Sequence, residues 1–298
     1  MATLRDLKGR IGSVGSSEKI TGAMKMISSA KMNKAVRDIR SLLPFRTQLE
    51  TIIGNLLAAD AEFSSPLTEA REVRHITVVV LGSDDGLCGA YNVNIFKQLL
   101  GHLEQLRSTF GAAVRIEVVA VGVKMARAVA KLTAADSNVA VVEAPEGVNS
   151  KSSGEQVKQF VEYLRELFLG GATDRIDVVY MNFISPSRQR LNAQQLLPVL
   201  ADNFRSADQD AATSARPYIF EPGPAAIFST VLPLMLLSTV QEVFCENRAS
   251  EQAARVMAMQ SANDNAKKLL EQLQLEYNKL RQQSITNELL DILGGQVK

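Results

Sequence analysis

Residues 3–57 read TLRDLKGRIGSVGSSEKITGAMKMISSAKMNKAVRDIRSLLPFRTQLETIIGNLL, and the fold is decided by reading them as one long helix. Leu4, Leu7, Ile11 and Val14 recur at alternating steps of three and four, the spacing of a coiled-coil seam. The pattern loosens through the Gly-, Ser- and Lys-rich stretch from Gly15 to Lys34. It resumes with Ala35, Ile39, Leu42, Leu49, Ile53 and Leu56, where Arg46 takes the skipped seam position. Pro44 removes one backbone donor, so a bend near Arg40 is expected rather than a stop. A helix of this length, roughly 80 Å at 1.5 Å per residue, cannot bury its stripe inside a compact domain and needs a second rod.

The second rod lies at the other end of the chain. From about Ala225 onward, Ala262, Ala266, Leu269, Leu270, Leu273, Tyr277 and Leu280 keep the three-or-four spacing. Ile285, Leu289 and Ile292 are expected to continue it after a phase shift, with Gly294 and Gly295 as the stop. Pro233 is expected to kink or delay the helix. Ala249, Ala253, Ala254, Ala258, Ala262 and Ala266 let two backbones approach closely. The economical arrangement is an antiparallel coiled coil with both termini near its tip. Helix length alone favours a hairpin that only dimerises or spaces other parts.

Between the rods, strand and helix signals alternate. ITVVVLG, RIEVVAVG, VAVVEAP and IDVVYMNFI read as strands, with helices at Tyr91–Phe110, in KMARAVAKL and at Ser153–Phe168; PYIFEP reads as a short fifth strand. Continuous apolar strands separated by helices predict a mostly parallel sheet covered on both faces. The expected fold class is therefore α/β: a long antiparallel coiled coil of N- and C-terminal helices plus a Rossmann-like, mostly parallel five-stranded α/β domain. Its parts are residues 1–60, 75–222 and 225–295, with SADQDAATSA (Ser206–Ala215) as an exposed loop.

Composition narrows the function. The 298 residues carry a net charge of +1, which argues against a chain built mainly for nucleic acid or acidic membranes. Cys88 and Cys245 are far apart and outside any CxxC pair, so no disulfide framework is expected. The N-terminus has no apolar signal region. The longest apolar run, Val231–Val240, is half a membrane span and contains Pro233, so membrane association is expected through partners. Met1–Leu57 holds ten Lys or Arg against four Asp or Glu, while the chain from Glu246 onward is balanced. One rod thus carries the basic charge. No aromatics interleave with it, so acidic loops of protein partners suit it better than nucleic acid.

The loop GSDDGLCGA (Gly82–Ala90) follows a strand and precedes a helix, where phosphate loops sit. Its spacing is neither GxGxxG nor GxxxxGK[ST], and a tight turn with close backbone packing is the favoured reading. Cys88 is expected to be buried and inert, and Asp84 and Asp85 to serve the turn and helix start. Met24, Met26 and Met32 have helical spacing, for which core packing is the default.

Several stretches resemble the gamma subunit of F-type ATP synthases: RIGSVGSSEKITGAMKMISSAKMNKA, the loop SDDGLCGAYN, FEPGPAAIF, ASEQAARVMAMQSANDNA, and YNKLRQQSITNELLDILGG. They span nearly the whole chain in the family's order. Three departures are visible: Asp85 stands where the family usually has arginine, Asn263 where it has threonine, and Gly295 where it has alanine. The resemblance implies a non-catalytic rotor shaft that couples a proton-driven membrane c-ring to ATP synthesis or hydrolysis in surrounding alpha and beta subunits, beside an epsilon subunit. It implies no cofactor, no metal, and a peripheral position on the cytoplasmic side of a bacterial plasma membrane; the absence of a transit peptide favours a bacterial chain. Partner contacts carried over by the resemblance are Met24 and Lys25 on the first rod and Arg281, Gln282 and Thr286 on the last, with Glu288 on the same surface. From the residues alone these are equally a solvated helix face, and an α/β enzyme or a scaffold with a coiled-coil arm is the alternative.

Overall fold

A computed structural model describes residues 3–58, 65–111, 113–132, 139–200 and 220–295. In chain order the elements are α1 (Leu4–Ala58), β1 (His75–Leu81), α2 (Tyr91–Phe110), β2 (Arg115–Val121), α3 (Val123–Val129), β3 (Val139–Glu143), α4 (Glu155–Leu169), β4 (Arg175–Ser185), β5 (Arg188–Leu197) and α5 (Pro224–Gly295). The chain divides into two units. One comprises Met1–Ala30 with Arg255–Lys298, the other Lys31–Ala254; α1 and α5 each run through both.

In the larger unit the five strands form one sheet in the order β3-β2-β1-β4-β5. β1, β2, β3 and β4 are parallel, with Val78 opposite Val118 and Val118 opposite Val141. β5 runs antiparallel to β4, joined through Pro186 and Ser187, with irregularities beside Asp177 and beyond Phe183. Apolar residues alternate across the sheet, as strand geometry requires. Val79, Leu81, Val119 and Val121 face a cluster built with Phe160, Leu164 and Phe168 of α4, Leu49, Ile53 and Leu56 of α1, and Phe228–Phe244 of α5. Ile76, Val78, Val80 and Val118 face the opposite cluster, built from α2 and α3. Both faces are covered, which is why these strands read as unbroken apolar runs.

The fifth strand corrects the sequence reading. Tyr218 and the residues beside it, 217–219, lie outside the described residues, as does the loop at 206–215, and Phe220–Pro222 is not strand; the fifth strand is RQRLNAQQLL. Its Gln, Asn and Arg content is poor strand material by composition. It is an edge strand, held by the β4 ladder and only partly buried, so no apolar signature marks it.

Both internal prolines sit within continuous helix, Pro44 in α1 and Pro233 in α5. Pro44 is exposed, and α5 is not delayed: it starts at Pro224, the position where a missing N–H costs nothing. Arg46, in the skipped seam position, is half-buried and bridges to Glu50 at 2.8 Å and to Glu242 on α5. One stretch of α5 is long and apolar enough to pass for a membrane span, yet Phe228, Leu232, Leu236 and Val240 from it are buried in the sheet's core cluster.

Candidate functional site

The smaller unit is a pair of rods. Along α1, partly or fully buried residues recur at 4, 7, 11, 14, 18, 21, 25 and 28. The three-four spacing therefore never lapses. What changes between Gly15 and Lys34 is chemistry: Glu18, Thr21, Lys25 and Ser28 occupy seam positions that elsewhere hold apolar residues. On α5 the facing seam runs through Met259, Asn263, Ala266, Leu270, Leu273, Tyr277, Leu280 and Ser284. Asn263 holds the polar stretch together: its amide donates to the Glu18 carbonyl at 2.7 Å and to Thr21 Oγ1 at 3.3 Å. A buried amide at a seam position fixes register, because any slip leaves it unpaired. Gly22 lies against it, where a Cβ would come within 3.3 Å of the Asn263 amide.

Register follows from two pairs, Gly15 against Leu270 and Gly22 against Asn263. Seven residues forward on α1 match seven back on α5, so the rods are antiparallel. Continuing to the start of α1 sets Leu4 level with Arg281. The last turns of α5 have no α1 opposite them. Ile285, Leu289, Leu290, Ile292 and Leu293 are accordingly exposed, Leu290 by 60%. This corrects the expected continuation of the seam through Ile285, Leu289 and Ile292: the partner helix ends before them, because α1 starts at Leu4.

The two groups of expected contact residues are not brought together. Met24 and Lys25 are half-buried on α1, whereas Arg281, Gln282, Thr286 and Glu288 are exposed on α5. Lys25 is level with Gln260, so the groups lie about 30 Å apart along the rod at 1.5 Å per residue. Neither Lys25 nor Arg281 has a hydrogen bond or ion pair among the described residues, while Thr286 donates its hydroxyl to the Gln282 carbonyl at 2.9 Å. Met32 is buried as core packing requires, whereas Met26 is exposed, as are Ile20 and Ile27, because an uncovered apolar position has the same helical spacing as a covered one.

The Gly82–Ala90 loop in the larger unit is closed. A Cβ on Gly82 would fall 2.5 Å from Met125 Cβ, and one on Gly122 would fall 3.0 Å from the Ser83 backbone. Asp84 accepts from the Val123 N–H at 3.1 Å and from the Ser150 hydroxyl at 2.8 Å. Met125 and the Asp84 carboxylate thus pack directly against the loop backbone. Cys88 is buried, with its sulfur 3.5 Å from the Asn92 amide nitrogen. Leu87 at the loop tip is exposed and holds φ +62°, an uncommon conformation for leucine.

Asp85, the departure from the family pattern, pairs with Lys151 at 3.0 Å. The hydrogen bond that Lys151 donates to this carboxylate raises the Lys151 pKa above the ordinary lysine value. The pair's contribution is therefore present at neutral pH and is lost as pH rises through that raised value. Asp85→Arg is expected to cost no more than about 1 kcal/mol, since both side chains are largely exposed. Adding Lys151→Glu should restore it. Chemical denaturation of the two variants checks this, and a double variant no better than the single one counts against the pairing.

Comparison with known proteins places these features. A sequence profile of the ATP synthase family matches residues 3–297. The ATP synthase gamma chain of Phocaeicola vulgatus is 38% identical over 296 residues, 99% of each chain, and that of Bacteroides thetaiotaomicron is 37% identical over the full length of both. In fold, the chain is similar to one in the Euglena gracilis mitochondrial ATP synthase OSCP/F1/c-ring assembly, rotational state 3 (TM-score 0.62, 22% identity, 98% of this chain and 93% of that one). A chain of the Tetrahymena thermophila mitochondrial ATP synthase central stalk/c-ring is similar over 82% of this chain and 99% of that one, with 19% identity and a TM-score of 0.53. With the family profile matching residues 3–297 and these bacterial relatives aligned from end to end, the chain belongs to the ATP synthase gamma-chain family.

Proposed function

We propose that the chain is the non-catalytic rotor shaft of a proton-translocating F-type ATP synthase, peripheral on the cytoplasmic side of a bacterial plasma membrane. Its partners are the alpha and beta subunits around the rods, and the membrane c-ring on which the α/β domain sits beside the epsilon subunit. The observation that carries this is the rod end: the last turns of α5, with exposed leucines and isoleucines, run beyond Leu4, the first residue of α1, and Lys25 and Arg281 further along the rod are unpaired among the described residues. A free-standing coil would leave that surface in water, whereas a ring of other subunits covers it. The closed Gly82–Ala90 loop supports a chain that binds no nucleotide of its own, because the strand ends where doubly wound folds hold ligands are filled by the chain's own side chains. The similar Euglena and Tetrahymena chains come from assemblies of F1, c-ring and central stalk, which supports the partner set.

The shaft acts by differential contact. A rod whose flanks differ in charge and apolarity touches each surrounding catalytic subunit differently at each angle, and only such a difference shifts their conformational equilibria. Lys25→Glu reverses a cation that has no partner among the described residues of its own unit. We expect proton-driven ATP synthesis in liposomes carrying the reconstituted enzyme to fall at least fivefold, while the melting temperature of the purified chain falls by no more than a few degrees from this half-buried position. Normal synthesis by that variant removes Lys25 from the contact surface.

A further inference from the structure

The role of the motif GSDDGLCGAYN, Gly82–Asn92, is visible in what it grips. Asn247 of α5 is 1% exposed and lies among three other segments of the same unit. The Tyr91 hydroxyl, at the end of the motif, donates to Asn247 Oδ1 at 2.6 Å and lies 3.0 Å from the Asn247 backbone carbonyl. The Asn247 amide donates to the Gly82 carbonyl, at the beginning of the motif, at 3.2 Å. The Met181 N–H of β4 donates to Asn247 Oδ1 at 3.4 Å, and one turn further along α5 the Ser250 hydroxyl donates to the Met181 carbonyl at 3.0 Å. Every polar atom of the Asn247 side chain is thus engaged with the sheet or with the loop that follows β1.

The position of this network matters. Up to Phe244, α5 packs in the core cluster that also holds α4, and Ala254 packs against the opposite cluster. Asn247 and Ser250 lie where the helix crosses from one to the other. Apolar contact resists pulling the helix away but is non-directional, so it resists turning about the helix axis weakly. Buried hydrogen bonds are directional, and breaking them in a dry site leaves unsatisfied groups. A joint that must carry torque needs the second kind.

We propose that Asn247, gripped by Gly82 and Tyr91 of the loop and by Met181 of β4, is the positioning residue that locks α5 to the α/β domain against twist, so that rotation of the domain is delivered to the rod. This rests on the shaft reading above. It gives the Gly82–Asn92 motif a mechanical role, in which the glycine supplies a carbonyl at close approach and the tyrosine a hydroxyl, both aimed at the shaft helix.

The test uses the complete ATP synthase in liposomes with Asn247→Ala or Tyr91→Phe in this chain. Three quantities are read: ATP hydrolysis by the detached soluble part, protons pumped per ATP hydrolysed by the membrane-bound enzyme, and the melting temperature of the assembled complex. The expected result is hydrolysis within twofold of wild type, a melting temperature within a few degrees, and a pumping ratio at least threefold lower for Asn247→Ala. Tyr91→Phe, which keeps the ring and loses only the hydroxyl, should give a smaller loss in the same direction. A wild-type ratio in both variants overturns the lock. So does a parallel fall in hydrolysis, pumping and melting temperature, or failure of both variants to assemble, since either marks a role in folding alone. The wild-type enzyme separates the two ideas: if it pumps and the variants pump equally, only the lock is lost, and if it does not couple at all, the shaft reading is lost.

Discussion

Replacing Asp177 with alanine is expected to destabilise the chain by about 3–5 kcal/mol, the cost of removing one partner from a buried charge cluster. The Asp177 side chain is 0% exposed. One oxygen meets His102 Nε2 at 2.8 Å and Arg175 Nη2 at 3.1 Å, and the other accepts from Arg175 Nε at 2.8 Å. The Arg175 guanidinium also lies over the Phe110 ring, 5.3 Å from its centroid, so it is held where it is when the carboxylate is gone. Urea denaturation of the purified chain measures the loss, and a value under about 1 kcal/mol contradicts the cluster's role. Removing the charges together should behave differently. Asp177→Leu with Arg175→Met and His102→Leu leaves no stranded polar group and is expected to recover most of the stability, because apolar replacement of a whole buried cluster is often neutral.

Phe160→Ala should cost a similar amount, about 3–5 kcal/mol, by a different route. Phe160 is 1% exposed on α4. Its ring meets Phe244 of α5 edge-on at 5.9 Å and 71°, and lies 6.4 Å from Tyr163. Truncation opens a cavity between α4, α5 and the sheet and forfeits the aromatic pair, itself about 0.5–1.5 kcal/mol beyond area burial. Phe160→Leu refills most of the space and should cost well under half as much. If the two substitutions cost the same, loss of volume is not what the measurement reports.

The rods and the parallel strands were legible because each buries a regular stripe. Heptad spacing from Leu4 to Leu56 and unbroken apolar runs such as HITVVVL carry their own period. β5 was not legible, because an edge strand with one partner needs no apolar alternation and RQRLNAQQLL has none. The seam between Glu18 and Ser28 looked lapsed because its positions are polar. Asn263, far away in sequence, makes those positions acceptable, and no local pattern reveals that. At the rod end, Ile285, Leu289 and Ile292 have seam spacing but no facing helix; only the register of Gly15 against Leu270 exposes the difference. Asn247 was invisible for a related reason: a lone asparagine in a long helix gains its meaning from Tyr91 and Gly82, more than 150 positions away.

The two native thiols have a practical bearing. Cys88 and Cys245 are both buried, and burial pushes the Cys245 thiol above the ordinary cysteine value, away from the reactive thiolate. Fluorophores or beads bearing maleimide should therefore attach almost exclusively to a cysteine engineered at an exposed position of the α/β domain such as Gln105, with the native sulfurs left in place. A wild-type sequence that stays dark under such reagents provides its own blank for watching the shaft turn.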